Sequence, residues 1–183
     1  LAFVPEAEVS GKYGELARSG NLRRVWDFDA PDADGTLWRG YARRFVNSYV
    51  PRFDANDEQL ADKYGKWESE AEFDRTHPIK TLHHIACEDR QLCENGRWKG
   101  EVALVTLKGD IDNLGSIFQQ GIEKPTFAKM ASLSRQVNAF FALWLPWFCE
   151  HGKDAQGVAR YRNTYTVFAG GDDFFLIGPW DST

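Results

Sequence analysis

The feature that most constrains the fold is a pair of glycines between two apolar runs, followed at once by two adjacent carboxylates. The runs at residues 158–169 and 174–177 have the length of β-strands, and Gly170-Gly171-Asp172-Asp173 joins them. Two glycines permit the positive φ that a tight hairpin needs, and they let a ligand come close to the backbone. The pattern predicts a β-hairpin that presents Asp172 and Asp173 at its bend.

A second acidic group precedes the hairpin in the chain. Residues 102–107 form an apolar run that leads into Asp110-Ile111-Asp112, and such a continuous run is typical of a strand covered on both faces. If the strand continues to residue 112, Asp110 and Asp112 share a face; if it ends at Asp110, Asp112 belongs to the loop. We expect Asp110 to meet the hairpin acids at one end of a sheet.

Carboxylate oxygens brought together in this way suit Mg²⁺ or Mn²⁺, which usually take one or two carboxylates plus substrate phosphates. Residues 113–116 follow the first acids and are expected to open a helix, whose free N–H groups can hold phosphate oxygens. The alternative is a tight turn with solvated carboxylates. Because both acidic groups stand at strand ends, separated by one long helix, the pattern favours a metal site for nucleotidyl transfer.

The long helix is predicted over residues 126–151, where apolar side chains recur at the three-and-four spacing of an amphipathic helix. Pro146 is expected to kink or loosen its final turn. Farther upstream, residues 22–28 and 37–50 predict the two strands of a hairpin, and Pro51 is expected to end the second.

Two short helices are predicted between this hairpin and the apolar run. The first covers residues 56–73, begins at a capping box formed by Asn56 and Gln59, and is weakened by Gly65. The second covers residues 80–93. Turns are then predicted at Gly96 and Gly100, and they place a domain boundary near residue 100.

Composition narrows the class of protein. The chain has 183 residues, 43% of them hydrophobic, and a net charge of −5, so it can bury a core and does not require a polyanionic partner. No apolar run reaches the roughly 18 residues that span a bilayer, so no membrane association is expected. Three cysteines favour a reducing cytoplasm. The first residue is Leu1, and the missing initiator Met suggests a fragment of a longer protein.

Three segments resemble the second palm domain of the large subunit of type III CRISPR-Cas effector complexes. They are residues 108–118 (KGDIDNLGSIF), 133–135 (LSR) and 168–178 (FAGGDDFFLIG). Tyr49-Val50-Pro51 also resembles a short motif upstream of that palm in the Csm branch of the family. The resemblance implies an α+β chain with two parts. Residues 101–183 would form a ferredoxin-like palm of the polymerase and cyclase type, incomplete at the C-terminus, and residues 1–100 a smaller α+β linker region containing the end of a first palm.

The resemblance also implies an activity. Palms of this family convert ATP to cyclic oligoadenylate second messengers in antiviral defence when the complex senses target RNA. Asp110, Asp172 and Asp173 match the catalytic and metal-binding positions, with the Ile111 carbonyl as a further metal ligand. The implied nucleotide-binding residues are Asn113, Leu114, Gly115, Ser116, Ser134, Gly170 and Gly171. The implied partners are ATP, other effector subunits, and guide and target RNA through the assembled complex.

Two other functional interpretations stay open. One is a catalytically silent palm that acts as a scaffold of the RNA-guided complex, and the other is a GGDEF-type cyclase that uses GTP. Asp173 stands where diguanylate cyclases usually have Glu, which favours the CRISPR family. The chain contains no His-Asp pair, so the nuclease motif of the family is not in this sequence.

Several weaker patterns are assigned structural roles. His83, His84, Cys87 and Cys93 are zinc-ligating residue types, but the Cys-x₅-Cys spacing is unusual for zinc and an ordinary helix is preferred. The arginine pairs at residues 23–24 and 43–44, with Arg39 and Arg52, are expected on a solvated face, with RNA or subunit contact as the alternative. Trp144 and Trp147 are expected to pack in the core or between domains.

Overall fold

A computed structural model describes residues 24–27, 42–45, 49–73 and 78–183. The strands are β1 (Arg24–Asp27), β2 (Ala42–Phe45), β3 (Gln91–Leu92), β4 (Trp98–Lys99), β5 (Leu104–Asp110), β6 (Tyr165–Gly170) and β7 (Asp173–Pro179). The α-helices are α1 (Ala55–Gln59), α2 (Leu82–Ala86), α3 (Leu114–Gln120), α4 (Phe127–Ala139) and α5 (Leu145–His151). Ala61–Glu70 and Arg160–Asn163 are 3₁₀-helical, and Phe140–Trp144 is a π-helical segment.

The central sheet has three antiparallel strands in the spatial order β5-β7-β6. β6 and β7 form the predicted hairpin, and its second strand lies beside β5. A strand, a helical crossover and a hairpin placed in this order make up the β-α-β-β part of a ferredoxin-like fold. The α+β palm architecture predicted from the sequence is confirmed.

One core cluster joins the long helix to the sheet. The helical run from Phe127 to His151 is continuous, as the periodicity predicts. The buried members of the cluster are Tyr49, Phe141, Leu145, Cys149, Ala169 and Leu176. The ring of Phe174 also packs on that of Phe141, with 6.1 Å between the centroids. This packing covers one face of β6 and β7.

The irregularity associated with Pro146 lies before this residue rather than after it. Pro146 is the second residue of α5, and α5 continues to His151. Proline lacks an N–H and its ring clashes with the carbonyl four residues earlier. The preceding π-helical segment, in which the Leu145 N–H donates to the Phe140 carbonyl, widens the helix at that point. The predicted loosening is therefore present, one turn earlier than expected.

Residues 104–107 do belong to a strand, but the prediction that this strand is covered on both faces is wrong. β5 begins at Leu104 and lies at the edge of the sheet. Leu104 and Leu107 are 38% and 46% exposed, because the long helix packs over β6 and β7 instead. The hairpin strand is also shorter than predicted, since residues 160–163 are 3₁₀-helical and β6 begins at Tyr165.

The predicted upstream hairpin is wrong, because β1 and β2 pair in parallel. Parallel strands need a crossover of a dozen or more residues, and residues 28–41 are long enough for one. β2 ends at Phe45, so Pro51 does not end it. The structure describes the backbone of Arg24, Arg43 and Arg44 alone, and Arg23 and Arg39 lie outside the described residues.

The first upstream helix begins at Ala55, and its N-cap is Asp54 rather than Asn56. The Asp54 carboxylate accepts hydrogen bonds from the N–H groups of Asn56 and Asp57, and the Asp57 carboxylate accepts one from the Asp54 N–H. Two aspartates thus form the capping box that was predicted two residues later, because Asp is a strong N-cap residue. Gly65, at φ 57°, interrupts the 3₁₀ segment as predicted, so no continuous helix reaches residue 73.

The second predicted helix, over residues 80–93, is also shorter. α2 ends at Ala86, and the chain then turns into the two-stranded β3–β4 ladder. Because Gln91–Leu92 pairs with Trp98–Lys99 across the Asn95-Gly96 turn, the local hairpin replaces the end of the helix. None of the helices in the described part of the chain is long and apolar enough to cross a membrane.

A buried ionic cluster connects residues 49–100 with the palm. The ammonium group of Lys80 lies 2.8 Å from carboxylate oxygens of both Asp57 and Glu88 and donates to Asn163 at 2.9 Å. Lys63 contacts the same two carboxylates at 3.0 and 2.9 Å. Burial opposes the ionisation of Asp57, but the lysine charges hold the pKa of its carboxyl below its ordinary value. Because only Thr164 separates Asn163 from the start of β6, the cluster fixes the approach to the hairpin.

Candidate active site

The two acidic groups meet at one end of the sheet. β5 ends at Asp110, β7 begins at Asp173, and these two residues are direct partners in the antiparallel register. Cα atoms of directly opposite residues lie about 4.5–5.5 Å apart in such ladders, and their side chains share a face. Asp112 follows the end of the strand and belongs to the turn, which selects the second of the two alternatives for that residue.

The hairpin bend is a two-residue loop. Gly170 pairs with Asp173, which leaves Gly171 and Asp172 as the central residues. Gly171 has φ 69° and Asp172 has a negative φ, which is the φ pattern of a type II′ turn. The Ile111 N–H donates to the Asp172 carbonyl at 2.7 Å. This hydrogen bond extends the pairing past Asp110 and ties the two acidic segments together.

The acidic side chains are available to an external ligand. In the portion of the chain that is described, the carboxylates of Asp110, Asp112, Asp172 and Asp173 take part in no hydrogen bond or ion pair. Within the same residues, no three His, Cys, Asp or Glu side chains are grouped to hold a metal ion. The structure therefore brings Asp110 and Asp173 together and leaves the Asp172 carboxylate outside the pair.

The pair fits a divalent cation of the magnesium type. Two hard oxygen donors face solvent on one side of the sheet, and such ions are usually held by one or two carboxylates plus substrate phosphates. The side chain of Ile111 packs against the core cluster, and the role of its carbonyl as a metal ligand stays a prediction. Gly170 is a strand residue that faces Asp173 across the hairpin.

The predicted phosphate-binding segment does open a helix. Asn113 adopts the left-handed conformation, φ 58° and ψ 29°, and α3 begins at Leu114. Asn tolerates this conformation better than most residues. Its side chain does not cap the helix, so the first N–H groups of α3 have no side-chain acceptor. Gly115 and Ser116 are exposed in that first turn.

Ser134 lies on α4, in the half of the long helix that has no buried residue. It is exposed, and its hydroxyl forms no hydrogen bond with any residue that the structure describes. Its predicted contact with adenine remains a prediction.

Gly109 is a site residue that the sequence interpretation did not single out. A Cβ built on Gly109 would lie 2.4 Å from two ring atoms of Phe174, its direct partner on β7. Phe174 in turn packs on Phe141 in the core. The signal in the sequence is a glycine inside an apolar strand, which often marks a close approach of another group. Gly109 lets the core pack directly behind Asp110.

Tyr49 is a second contributor from outside the palm segment. Its ring is part of the core cluster, its hydroxyl donates to the Arg162 carbonyl at 2.8 Å, and its carbonyl accepts from the Thr166 N–H at 2.9 Å. Burial, and next the charge of Glu150, raises the pKa of the Tyr49 hydroxyl. The Tyr49-Val50-Pro51 motif therefore holds the base of the hairpin strand.

The histidines near the cysteines have structural partners. His84 accepts at Nδ1 from the backbone N–H of Thr81 at 3.2 Å and, at Nε2, lies 3.0 Å from the Trp67 carbonyl, so Nε2 carries the proton. Burial lowers the pKa of its imidazole. His83 stacks on the Trp67 ring, with 5.0 Å between centroids. Both rings therefore have partners within the chain.

The tryptophans of the long helix stack on neighbouring rings. Trp144 lies between Phe140 and Phe148, with centroid separations of 4.9 and 5.0 Å, and is 45% exposed. Trp147 stacks on His151 at 5.3 Å. Trp144 is therefore a surface residue within an aromatic stack rather than a core residue.

Comparisons with known proteins agree on the family. Residues 103–183 match the family model described as Cas10/Cmr2, second palm domain. A CRISPR system single-strand-specific deoxyribonuclease Cas10/Csm1 (subtype III-A) from Methanocaldococcus jannaschii is 36% identical over 80 residues, 42% of this chain. That match covers 10% of the relative, so the chain spans a small part of its length.

Two solved structures have a similar fold. The Csm1-Csm4 cassette in complex with one ATP superposes with a TM-score of 0.52 at 19% identity, over 87% of this chain and 19% of that one. The same cassette in complex with cA3 gives a TM-score of 0.52 at 18% identity, with the same coverage. At a sequence identity below 20%, structural similarity of this kind establishes a shared fold. Together with the palm topology and the paired acids, these matches show that residues 103–183 are a palm domain of the Cas10/Cmr2 second-palm family.

Proposed function

We propose that this palm joins ATP units into cyclic oligoadenylates, with divalent metal ions held by Asp110 and Asp173. The observation that carries the proposal is the direct pairing of these two residues, whose carboxylates have no protein partner in the described residues. Support comes from the solved Csm1-Csm4 cassettes of similar fold, which contain ATP in one case and cA3 in another.

The residues around the pair have separate roles in this proposal. Bound Mg²⁺ or Mn²⁺ supplies charge neutralisation for the triphosphate and a more acidic 3′-hydroxyl. The uncapped N–H groups after Asn113, with Gly115 and Ser116, bind phosphate oxygens. Gly171 keeps the bend free of side-chain atoms, and Ser134 contacts the adenine. The Asp172 carboxylate lies outside the pair and adds negative charge near the ions rather than direct coordination.

The proposal extends to the assembly in which the palm works. Guide RNA, target RNA and the other effector subunits would contact the complex, and sensing of target RNA would start synthesis in antiviral defence in the cytoplasm. Two solved relatives are cassettes of Csm1 with Csm4, which supports a subunit partner for this chain as well.

The test uses the full-length protein in its assembled complex, given target RNA, Mg²⁺ or Mn²⁺, and labelled ATP or GTP. We expect cyclic adenylates from ATP, and their loss on Asp110→Asn or Asp173→Asn, because each change removes a charged ligand without altering side-chain size. Asp62→Asn, at an exposed aspartate of the upstream 3₁₀ segment, is the matched control and should retain activity.

The outcomes separate the competing functions. Consumption of GTP would indicate a GGDEF-type cyclase, and no product from either nucleotide in a correctly assembled complex would indicate a silent scaffold. Asp172→Asn tests the geometry within the main proposal: we expect a smaller loss of rate than for Asp173→Asn. An equal loss would place Asp172 among the direct ligands.

A further inference from the structure

One short upstream segment contacts both open ends of the β6–β7 hairpin. Glu88 and Asp89 lie just after α2, in the turn that leads toward β3. Glu88 contacts the segment that enters β6, and Asp89 contacts the segment that leaves β7. These contacts lie at the base of the hairpin, whereas Asp172 and Asp173 lie at its bend.

The entry to β6 is held by directional hydrogen bonds. The side-chain amide of Asn163 donates to the Glu88 carboxylate at 3.2 Å and accepts from the Lys80 ammonium at 2.9 Å. Lys80 also lies 2.8 Å from Glu88, whose side chain is 6% exposed. Both polar groups of Asn163 are thus bound to upstream residues in a buried setting, where hydrogen bonds are electrostatically stronger than in water.

The exit from β7 is held by the Asp89 carboxylate. The N–H groups of Asp181 and Ser182 both donate to its Oδ2 atom, at 2.6 and 3.1 Å. The chain turns back on the strand here because Gly178 has no Cβ, and one built at that position would overlap the Thr183 side chain. Hydrogen bonds from N–H groups to a carboxylate are charge-assisted and are stronger than those between neutral groups.

The position of Asp173 depends on the orientation of this hairpin. β7 begins at Asp173 and ends at Pro179, about 20 Å away along the strand. A tilt of the hairpin by about 3° at its base therefore moves the bend by about 1 Å. The carboxylates of Asp110 and Asp173 have no hydrogen-bond partner in the described residues, so no local contact of theirs opposes such a displacement.

Pairing with β5 does not by itself fix this orientation. The register determines that Asp173 lies opposite Asp110, but the twist between adjacent strands ranges from about 10° to 35° in sheets. Contacts at the base of the hairpin select one orientation from that range. A misplacement of about 1 Å at a reacting centre can lower the rate about 100-fold, so the selection matters for the chemistry.

We propose that Glu88 and Asp89 are positioning residues for nucleotidyl transfer, which fix the base of the hairpin and thereby hold Asp173 against Asp110. This inference rests on the proposed function and adds two residues to it. Both act through the hairpin strands, about 20 Å from the acids, and neither contacts the metal ions or the nucleotide.

The experiment removes the hydrogen-bond acceptor at the exit of β7. Asp89 is half-buried and lies outside the buried ionic cluster, so its replacement leaves no buried lysine unpaired. The assembled complex with the full-length protein is given target RNA, labelled ATP and a series of Mg²⁺ concentrations. We expect Asp89→Leu to lower kcat by about tenfold and to raise the Mg²⁺ concentration that gives half the maximal rate. The KM for ATP should change less than kcat, because Asp89 does not contact the nucleotide.

Three further variants make the result specific. Asp89→Asn keeps an acceptor oxygen for the two N–H groups and should restore most of the rate. Asn163→Leu removes both contacts at the entry to β6 and should lower kcat in the same way, while Lys80 keeps its two carboxylates. Asp62→Leu, at an exposed aspartate of the upstream 3₁₀ segment, is the control and should change neither kcat nor the Mg²⁺ dependence.

Unchanged kcat and Mg²⁺ dependence in Asp89→Leu and Asn163→Leu would overturn the inference, while synthesis by the wild-type complex would leave the proposed function intact. A lower melting temperature with an unchanged Mg²⁺ dependence would also overturn it, because that result indicates a role in stability alone. So would equal losses of rate in Asp89→Asn and Asp89→Leu, since the acceptor oxygen would then have no effect. If the wild-type complex gives no product from ATP, the proposed function fails and this inference fails with it.

Discussion

Replacing Lys80 by Met tests whether the buried ionic cluster stabilises the junction between residues 49–100 and the palm. The Lys80 side chain is fully buried, and its ammonium lies 2.8 Å from oxygens of both Asp57 and Glu88. Methionine keeps an unbranched apolar chain but removes the charge and the donors. Two buried carboxylates are then left with the ammonium of Lys63 and, 4.0 Å from Asp57, the guanidinium of Arg162, which Asp54 also engages.

The size of the effect follows from the imbalance of charge. At an effective dielectric constant of about 20, each 2.8 Å contact corresponds to about 6 kcal/mol of attraction. Desolvation of the buried ions offsets much of this, so the intact cluster adds little net stability. Removing one partner leaves the buried carboxylates with too little positive charge, and breaking a buried ion pair in this way costs about 3–5 kcal/mol. A typical domain has about 5–15 kcal/mol in all, so the loss is a large fraction of its stability.

Urea unfolding followed by tryptophan fluorescence measures the change in the free energy of unfolding. Lys153→Met is the matched control, because Lys153 is exposed and has no partner among the described residues, and we expect a change within about 0.5 kcal/mol. Adding Glu88→Gln to Lys80→Met removes one charge of each sign and should recover part of the loss. If Lys80→Met lowers the free energy of unfolding by less than about 1 kcal/mol, the reasoning is refuted. A loss that small is typical of an exposed ion pair rather than a buried one.

Three further results are expected. Gly109→Ala should lower the free energy of unfolding by about 1–3 kcal/mol in urea, because its Cβ overlaps a packed ring, while Gly115→Ala, where a Cβ meets open space, serves as the control. The depressed pKa of Asp57 contributes stability that is complete above the ordinary aspartate pKa near 4 and is lost as the pH falls below it. The urea midpoint should therefore be lower at pH 3 than at pH 6, and the difference between the two midpoints should be smaller in Asp57→Asn. In native thiol alkylation followed by mass spectrometry, the partly exposed Cys93 should react first, since burial raises the pKa of Cys149 to about 11.

The parts of the fold that the sequence predicts are those set by local pattern. The long helix follows from its apolar spacing, and the hairpin follows from Gly171, whose positive φ permits a two-residue bend. The opening of α3 after Asn113 was predicted on the same basis. The pairing of Asp110 with Asp173 was an expectation about non-local register, and it holds because the β5–β7 ladder runs the full length of both strands.

The parts that the sequence does not predict depend on distant partners. The parallel pairing of β1 with β2 is a non-local contact, and the residue pattern within each strand does not set its direction. The role of Tyr49 depends on contacts with Arg162 and Thr166, more than a hundred positions later. The burial of β5 could not be inferred from its apolar run, since apolar composition does not reveal whether a strand lies at an edge.

The positions of Asp110 and Asp173 depend on side-chain packing on the opposite face of the sheet. Asp110 and Asp173 are adjacent because Gly109 admits the ring of Phe174 behind them, and that ring packs on Phe141 in the cluster that also holds Tyr49. The carboxylates themselves contact nothing that would stabilise their position in the described residues. Substitutions on the packed face should therefore change the position of the Asp110 and Asp173 carboxylates relative to each other, although they touch neither residue.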